Sequence, residues 1–341
     1  MGWEEGVVLV GAGEEEVEVN RSNQVNSFNL KDYKLMPNKP KIVCVTGGKG
    51  GTGKTLVAVN LAIMFKNSGY KTLLVDGDSE NPNTYLLMGG QLENQTEVPF
   101  FKPKILEEEC TKCGICAKNC APHALLYIDN SVPIPILTVC SGCRLCYKVC
   151  PVNAIEPDYK VIGWTYSTKA YDVDLLIGEL KPGEARSAAI IDTLMNKIEN
   201  IIDNEPDKYD IIVLDTAPGA HCDVELLIGK ADLVIPVTEP TKFGKLDLIR
   251  IIELIKILNK DYRAIVNRSS LLGFRDQFME ELNSMNIPLL GDIPLNDDIV
   301  ASYCQAIPLM DADGEFDRSG EGYQAFLNIF NNLREWIGLN K

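Results

Sequence analysis

Ile42-Val43-Cys44-Val45-Thr46-Gly47-Gly48-Lys49-Gly50-Gly51-Thr52-Gly53-Lys54-Thr55 carries an apolar segment into a glycine-dense turn, and a helical pattern leaves it through Val57, Leu61, Ala62 and Phe65. Strand, loop and helix in that order are the context a phosphate-binding loop requires, and Gly48 to Thr55 meets G-x-x-x-x-G-K-[ST] at every fixed position. Such glycines let the backbone N–H groups turn inward around phosphate oxygens, and the helix N-terminus adds a favourable dipole. The stretch Gly48, Lys49, Gly50, Gly51, Thr52, Gly53, Lys54 and Thr55 is therefore the expected nucleotide cradle. Lys54 is expected on the terminal phosphates and the Thr55 hydroxyl on Mg²⁺. Lys49 is a second lysine, inside the loop itself.

Working outward, strand and helix patterns alternate. Lys71 to Asp76 reads as a buried strand ending in acid, followed by the polar loop Gly77-Asp78-Ser79-Glu80-Asn81-Pro82-Asn83. In an open parallel sheet ligands bind at that end of the strands, which aims Asp76 and Asp78 at the phosphates. Tyr209 to Asp215 repeats the design and continues into Thr216-Ala217-Pro218-Gly219, so Asp215 is expected to orient Mg²⁺ and its waters and the Gly219 N–H to sense the γ-phosphate. Further strands are read at 161–166, 173–178, 233–237, 262–266 and 288–293, with helices over 185–202, 245–258, 277–285 and 321–337. Asn267 ends one strand where an adenine base could lie. The residues Asn267-Arg268-Ser269-Ser270 lack the Asn-Lys-x-Asp of a guanine site, so ATP is the expected nucleotide.

The formal charge of −15 over 341 residues argues against nonspecific nucleic-acid binding, which needs a basic face. No apolar run reaches the length of a membrane span. The last helix carries Arg334, with Lys341 beyond its end, where a membrane-surface helix would carry several cations opposite its apolar face, which favours packing. Met1-Gly2-Trp3-Glu4-Glu5 has no basic region leading an apolar core, so a cytoplasmic protein without nucleic-acid or membrane partners is expected. Residues 1–38 are read as an extension of uncertain order, with a short hairpin around Gly11-Ala12-Gly13 as one expectation.

Between residues 99 and 157 the alternation breaks. Of the eleven cysteines, eight fall into Cys110-x-x-Cys113-x-x-Cys116-x-x-x-Cys120 and its repeat Cys140-x-x-Cys143-x-x-Cys146-x-x-x-Cys150-Pro151. The likeness extends past the thiols, since Ala124-Leu125 matches Ala154-Ile155. Thiolates are soft, charged ligands, and tandem C-x-x-C-x-x-C runs are foreign to four-ligand zinc sites. Cys44 and Cys304 read as packing residues. Cys222 follows the Asp215 loop closely and is a candidate redox or bridging-cluster ligand. His123 and His221 read as hydrogen-bonded structural groups.

The tandem run resembles that of two-cluster bacterial-type ferredoxins. That resemblance implies one [4Fe–4S] cluster on Cys110, Cys113, Cys116 and Cys150 and another on Cys120, Cys140, Cys143 and Cys146. Lys49 to Thr55, with Asp76-x-Asp78, Asp215 to Gly219 and Asn267, resembles the deviant P-loop of the MinD/ParA/Mrp/nitrogenase-iron-protein class from residue 41 onward. The implied fold is α/β: a P-loop NTPase with a mostly parallel central sheet flanked by helices (39–98 and 158–341), carrying an inserted α+β bacterial-type ferredoxin domain (99–157). The resemblance also implies a dimer in which Lys49 crosses to the partner's phosphates. Asp78 would position the attacking water and Lys54 the phosphates, while Thr55 and Asp215 would serve the metal.

Three functions are consistent with it. ATP hydrolysis in a homodimer, or in a heterodimer with a related ATPase, could gate electron transfer through the clusters to a redox partner, making the chain an ATPase and an ATP-dependent reductase. It could instead be an Mrp-like assembly or carrier ATPase for iron–sulfur or other metal clusters, with a cluster-accepting partner. A MinD-like positioning ATPase would want a basic amphipathic C-terminal helix, which the sequence lacks.

Overall fold

The computed structural model describes residues 39–271, 275–311, 313 and 316–339; the extension over 1–38 and its expected hairpin lie outside them. The chain opens with β1 (Lys41–Thr46), α1 (Lys54–Asn67), β2 (Thr72–Gly77) and the short α2 (Thr84–Leu87). A long strand β3 (Thr96–Ile105) leads into the cysteine region, which holds α3 (Ile115–Lys118), β4 (Leu125–Leu126), β5 (Ile134–Pro135) and α4 (Leu145–Lys148). The chain returns through β6 (Ile155–Ala170) and β7 (Val173–Leu180). It then alternates: α5 (Ser187–Asn204), β8 (Ile211–Thr216), α6 (Cys222–Lys230), β9 (Leu233–Thr238) and α7 (Lys242–Ile257). It closes with β10 (Asp261–Tyr262), β11 (Ala264–Asn267), α8 (Arg275–Ser284), β12 (Leu289–Ile293), α9 (Asp297–Gln305) and α10 (Glu321–Ile337).

The sheet runs β12-β11-β9-β1-β8-β2-β7-β6-β3, with β10 beside β9. Pairing is parallel from β12 to β7 and antiparallel at β7–β6 and β6–β3. Strands buried on both faces read as continuous apolar runs, as parallel sheets require. On β1 the pleat sends Val43 and Val45 to a core with α1 and α10, and Cys44 to a second core with α5, α6 and α7. The α10 face holds Phe326, Ile329, Phe330, Leu333 and Ile337. No described helix is long and apolar enough to cross a membrane.

β6 is longer than the strand expected at 161–166 and does two jobs. Its far half pairs with β7, from Gly163↔Leu180 to Ala170↔Val173. Its near half pairs with β3 out to Ile105↔Ile155, beyond the central sheet. β3 is the sheet edge, which tolerates Pro99 and Pro103 because an edge strand need not donate every N–H. The 99–157 stretch thus shares its two long strands with the central sheet. Beyond them, residues 106–154 pack a small core, around Cys116 and Leu125, against Ile155 at the start of β6.

The repeat seen in the cysteines extends to the backbone. α3 and α4 start from left-handed residues Gly114 and Arg144, and Lys112/Gly142 and His123/Asn153 are left-handed at matching positions. Ala124 and Ala154 donate their N–H groups to Cys120 Sγ and Cys150 Sγ, both at 3.2 Å.

Candidate nucleotide site and cysteine cavities

The loop after β1 emerges between β8 and β9, so the ends of three strands surround it. It borders a cavity of ≈ 780 Å³ lined by Gly50, Gly51, Gly53, Lys54, Thr55 and Asp78, with residues of the β8–α6 loop and of α9 opposite. That volume is in the range of small-molecule sites. Gly53 begins α1 at φ 94°, and a Cβ there would lie 2.2 Å from Asn267 Nδ2, so the turn needs a glycine both for its conformation and for its neighbour.

Three carboxylates meet at the strand ends. Asp76 and Asp215 stand side by side across β2 and β8, both fully buried. Asp76 accepts from the backbone N–H groups of Asp78, Asn83 and Thr84 and from the Thr84 hydroxyl, at 2.9–3.1 Å. Burial still raises its pKa against those bonds. Asp215 is the opposite case: neither of its oxygens has a hydrogen-bond partner among the described residues. Burial, and then the Asp76 charge, push its pKa well above the carboxylate range, while the Thr55 hydroxyl and Lys54 work against the shift. A fully buried carboxylate whose nearby donors are only the Thr55 hydroxyl and the Lys54 ammonium calls for a cation, and Asp215 beside Thr55 fits Mg²⁺ on that ground. Burial, with the Asp76 charge second, pushes Asp78 up to about 6. Burial lowers Lys54, with Asp215 and Asp78 opposing.

Other expected nucleotide residues are engaged elsewhere. Lys49 does not line the cavity. Its Nζ pairs with Glu239 Oε1 at 3.0 Å, and Arg268 pairs with the other Glu239 oxygen at 3.3 Å. Glu239, at the end of β9, escaped sequence reading because its partner Lys49 is 190 positions away. Asn267 lines the cavity, but its Nδ2 donates to the Thr52 carbonyl at 2.8 Å and its Oδ1 accepts from the Arg268 N–H, so in this state it braces the loop. The Gly219 N–H donates to the Gly47 carbonyl at 3.0 Å, and a phosphate contact requires it to exchange that partner. The wall from Pro294 to Tyr303 was also missed; Asn296, which caps α9 through the N–H groups of Asp298 and Ile299, was its legible signal.

The eight clustered cysteines gather into two sets. Cys110, Cys113, Cys116 and Cys150 line one small cavity, and Cys120, Cys140, Cys143 and Cys146 line a second. The fourth thiol of each run joins the other run. Among the described residues no three Cys, His, Asp or Glu converge to hold a single metal ion. Thiols spread around a cavity suit a polynuclear group better than a lone ion. Their environments differ: the Ile115 N–H and then the Thr111 hydroxyl hold Cys113 below the usual thiol range, while burial lifts Cys146 to about 11. Backbone N–H groups also point at sulfur here: those of Ala124, Gly142 and Ala154 donate to Cys120, Cys140 and Cys150 Sγ.

Of the other three cysteines, Cys44 is buried in the sheet and Cys222, exposed, is the first residue of α6. Cys304 is exposed rather than packed, because the buried face of α9 is Ile299 and Ser302.

The loop, the buried acids and the parallel sheet define a nucleotide-binding P-loop protein. Residues 43–309 match the family described as the CobQ/CobB/MinD/ParA nucleotide binding domain. The chain belongs to that family. An uncharacterised protein of Methanocaldococcus jannaschii is 35% identical over 272 residues, covering 77% of this chain and 89% of that protein. An iron-sulfur cluster carrier protein of Rickettsia felis is 24% identical and covers 82% of this chain and 70% of its own length. Among solved structures, the septum site-determining protein MinD of Pyrococcus horikoshii, complexed with Mg-ADP, superposes with a TM-score of 0.55 at 20% identity, over 88% of this chain and 98% of that chain. That likeness is one of fold.

Proposed function

We propose that the chain is an ATP-hydrolysing iron–sulfur protein whose nucleotide state controls electron transfer to a partner protein through two [4Fe–4S] sites in an inserted ferredoxin-like module. The observation that carries this reading is the sorting of eight thiols into two four-cysteine cavities on a pair of strands continuous with the nucleotide-binding sheet. Cys110, Cys113, Cys116 and Cys150 would hold one cluster, and Cys120, Cys140, Cys143 and Cys146 the other. Bound clusters of this kind supply one-electron redox chemistry.

At the nucleotide end the residues divide the work by charge. The loop N–H groups and Lys54 neutralise phosphate, and Thr55 with Asp215 holds Mg²⁺. Asp78, on a loop fastened to Asp76, accepts the proton of the attacking water or orients it. Lys49 is half-exposed in its pair with Glu239 and is free to leave for the phosphates of a second subunit. There it would act as a cation supplied in trans, as an arginine finger does.

An iron–sulfur carrier ATPase is the second reading. The exposed Cys222 favours it, at the start of α6 between the cavity-lining His221 and Asp223, as does the likeness to the Rickettsia felis carrier.

A potentiometric EPR titration with and without ATP separates the two. Electron gating predicts that ATP shifts a cluster potential or the rate of transfer to an acceptor. No change in either, together with Cys222-dependent iron delivery to an apo-acceptor, would favour the carrier.

A further inference from the structure

Arg186 is the residue before α5, and its side chain is only 12% exposed. Its guanidinium donates from Nε to the Cys140 carbonyl at 3.3 Å and from Nη2 to the Leu137 carbonyl. It pairs with Glu184 and lies 4.7 Å from the centroid of the Phe100 ring. That ring in turn packs on Gly142, where a Cβ would come within 2.6 Å of it. One cation on the β7–α5 connection therefore holds the segment that delivers Cys140 and Cys143 to the second cavity.

The same connection is tied to the nucleotide loop at its other end. The Leu180 N–H donates to the Ser79 carbonyl at 2.7 Å, and Ser79 is buried and adjacent to Asp78. Between these two anchors the chain is short and braced: the Lys181 N–H donates to the Ile162 carbonyl, the Glu184 N–H to the Lys181 carbonyl, and the Glu184 carboxylate pairs with Lys160. Leu180 also packs with Ile162, Val98 and Ile190, against which Phe100 rests.

We propose that Arg186 is a positioning residue that links the Asp78–Ser79 loop to the Cys140 end of the second cysteine cavity. This rests on the nucleotide and cluster reading above and deepens it. A shift of Ser79 on nucleotide exchange moves Leu180, the braced turn follows, and the guanidinium carries the change to the Leu137 and Cys140 carbonyls. Lysine cannot replace it, because a point charge lacks the planar fork that reaches two carbonyls and stacks on a ring.

The test is amide hydrogen exchange on the full chain, purified anaerobically, comparing Mg-ADP with a non-hydrolysable ATP analogue and Mg²⁺. In the wild type, the peptide covering residues 137–143 is expected to exchange at different rates in the two states. Arg186→Gln and Arg186→Lys are expected to remove that difference and to raise exchange there by about 10-fold or more in both states. Basal ATPase activity should stay near the wild-type value. A purely structural arginine would raise exchange but leave the nucleotide-dependent difference in place, and that result overturns the proposal. So does a wild type in which nucleotide protects residues 47–55 while 137–143 responds to neither state. If residues 47–55 gain no protection from either nucleotide, the nucleotide reading falls and the proposal with it. Should the Arg186 variants not fold, Glu184→Gln releases the guanidinium from its anchor and must likewise reduce the difference.

Discussion

The two ends of this molecule handle polar groups in opposite ways. At the nucleotide end, Lys54, Asp76 and Asp215 are buried beneath loops braced between two large cores, and Asp76 alone takes four hydrogen bonds. In the cysteine module the buried core is small, with Cys116, Leu125 and Ile155 at its centre and Ala124 and Ala154 buried beside them, while Cys113 and Cys143 are exposed. Leu126, Ile128, Ile134 and Val139 are exposed there as well. The acids and Lys54 of the first end are held in place by the fold itself. The second has a small core, and the clusters proposed above would supply the missing cohesion, as structural metals do in small domains.

That contrast can be broken at several points. The largest effect is expected from Lys49→Ala, which should lower ATPase turnover by about 10³-fold while leaving nucleotide binding within a fewfold of wild type. Unchanged turnover, measured by phosphate release, would remove the trans-lysine step. Asp78→Asn should cost about 10²-fold or more.

In the wild type, Asp78 gives a pH signature. Its folded-state pKa is raised to about 6, so its carboxylate form is lost as pH falls through that value. The acid limb of kcat/KM should therefore fall about tenfold per pH unit below about pH 6, and the remaining activity of Asp78→Asn should lack that limb. A limb that survives the substitution belongs to another group.

Iron removal sharpens the comparison most plainly. Chelation under anaerobic conditions should raise amide exchange across residues 106–154 by about 10²-fold or more and leave residues 41–46 and 211–216 protected. Equal protection in both regions would mean that the module does not depend on its metal. The smallest effect is on stability. Asp76→Asn sets an amide N–H₂ among donors and should cost about 1–3 kcal/mol, read as a fall in the denaturant midpoint at constant m-value.

Much of the nucleotide end was legible because its chemistry is local. Glycine spacing, apolar strands and terminal acids are contiguous, and α10 spans Glu321–Ile337 as its apolar period predicts. Glu239, the brace at Asn267 and the commitment of the Gly219 N–H to Gly47 were not legible, because each joins residues far apart in the chain. In the cysteine region the spacing gave the two repeated runs and the ferredoxin resemblance implied the crossed grouping of their thiols, but neither pointed to the length of β6 or to Arg186. Both depend on how β3 and β6 run out of the central sheet. Cys304 misled because helical apolar context was read as packing, and on the short α9 it faces solvent.

Iron and acid-labile sulfide content of the anaerobically purified chain tests the central claim most directly. The wild type should carry about eight of each per chain, and Cys150→Ser should lose about half while the Cys120 set keeps its share. Four or fewer irons in the wild type, or zinc in their place, would contradict two four-cysteine cluster sites.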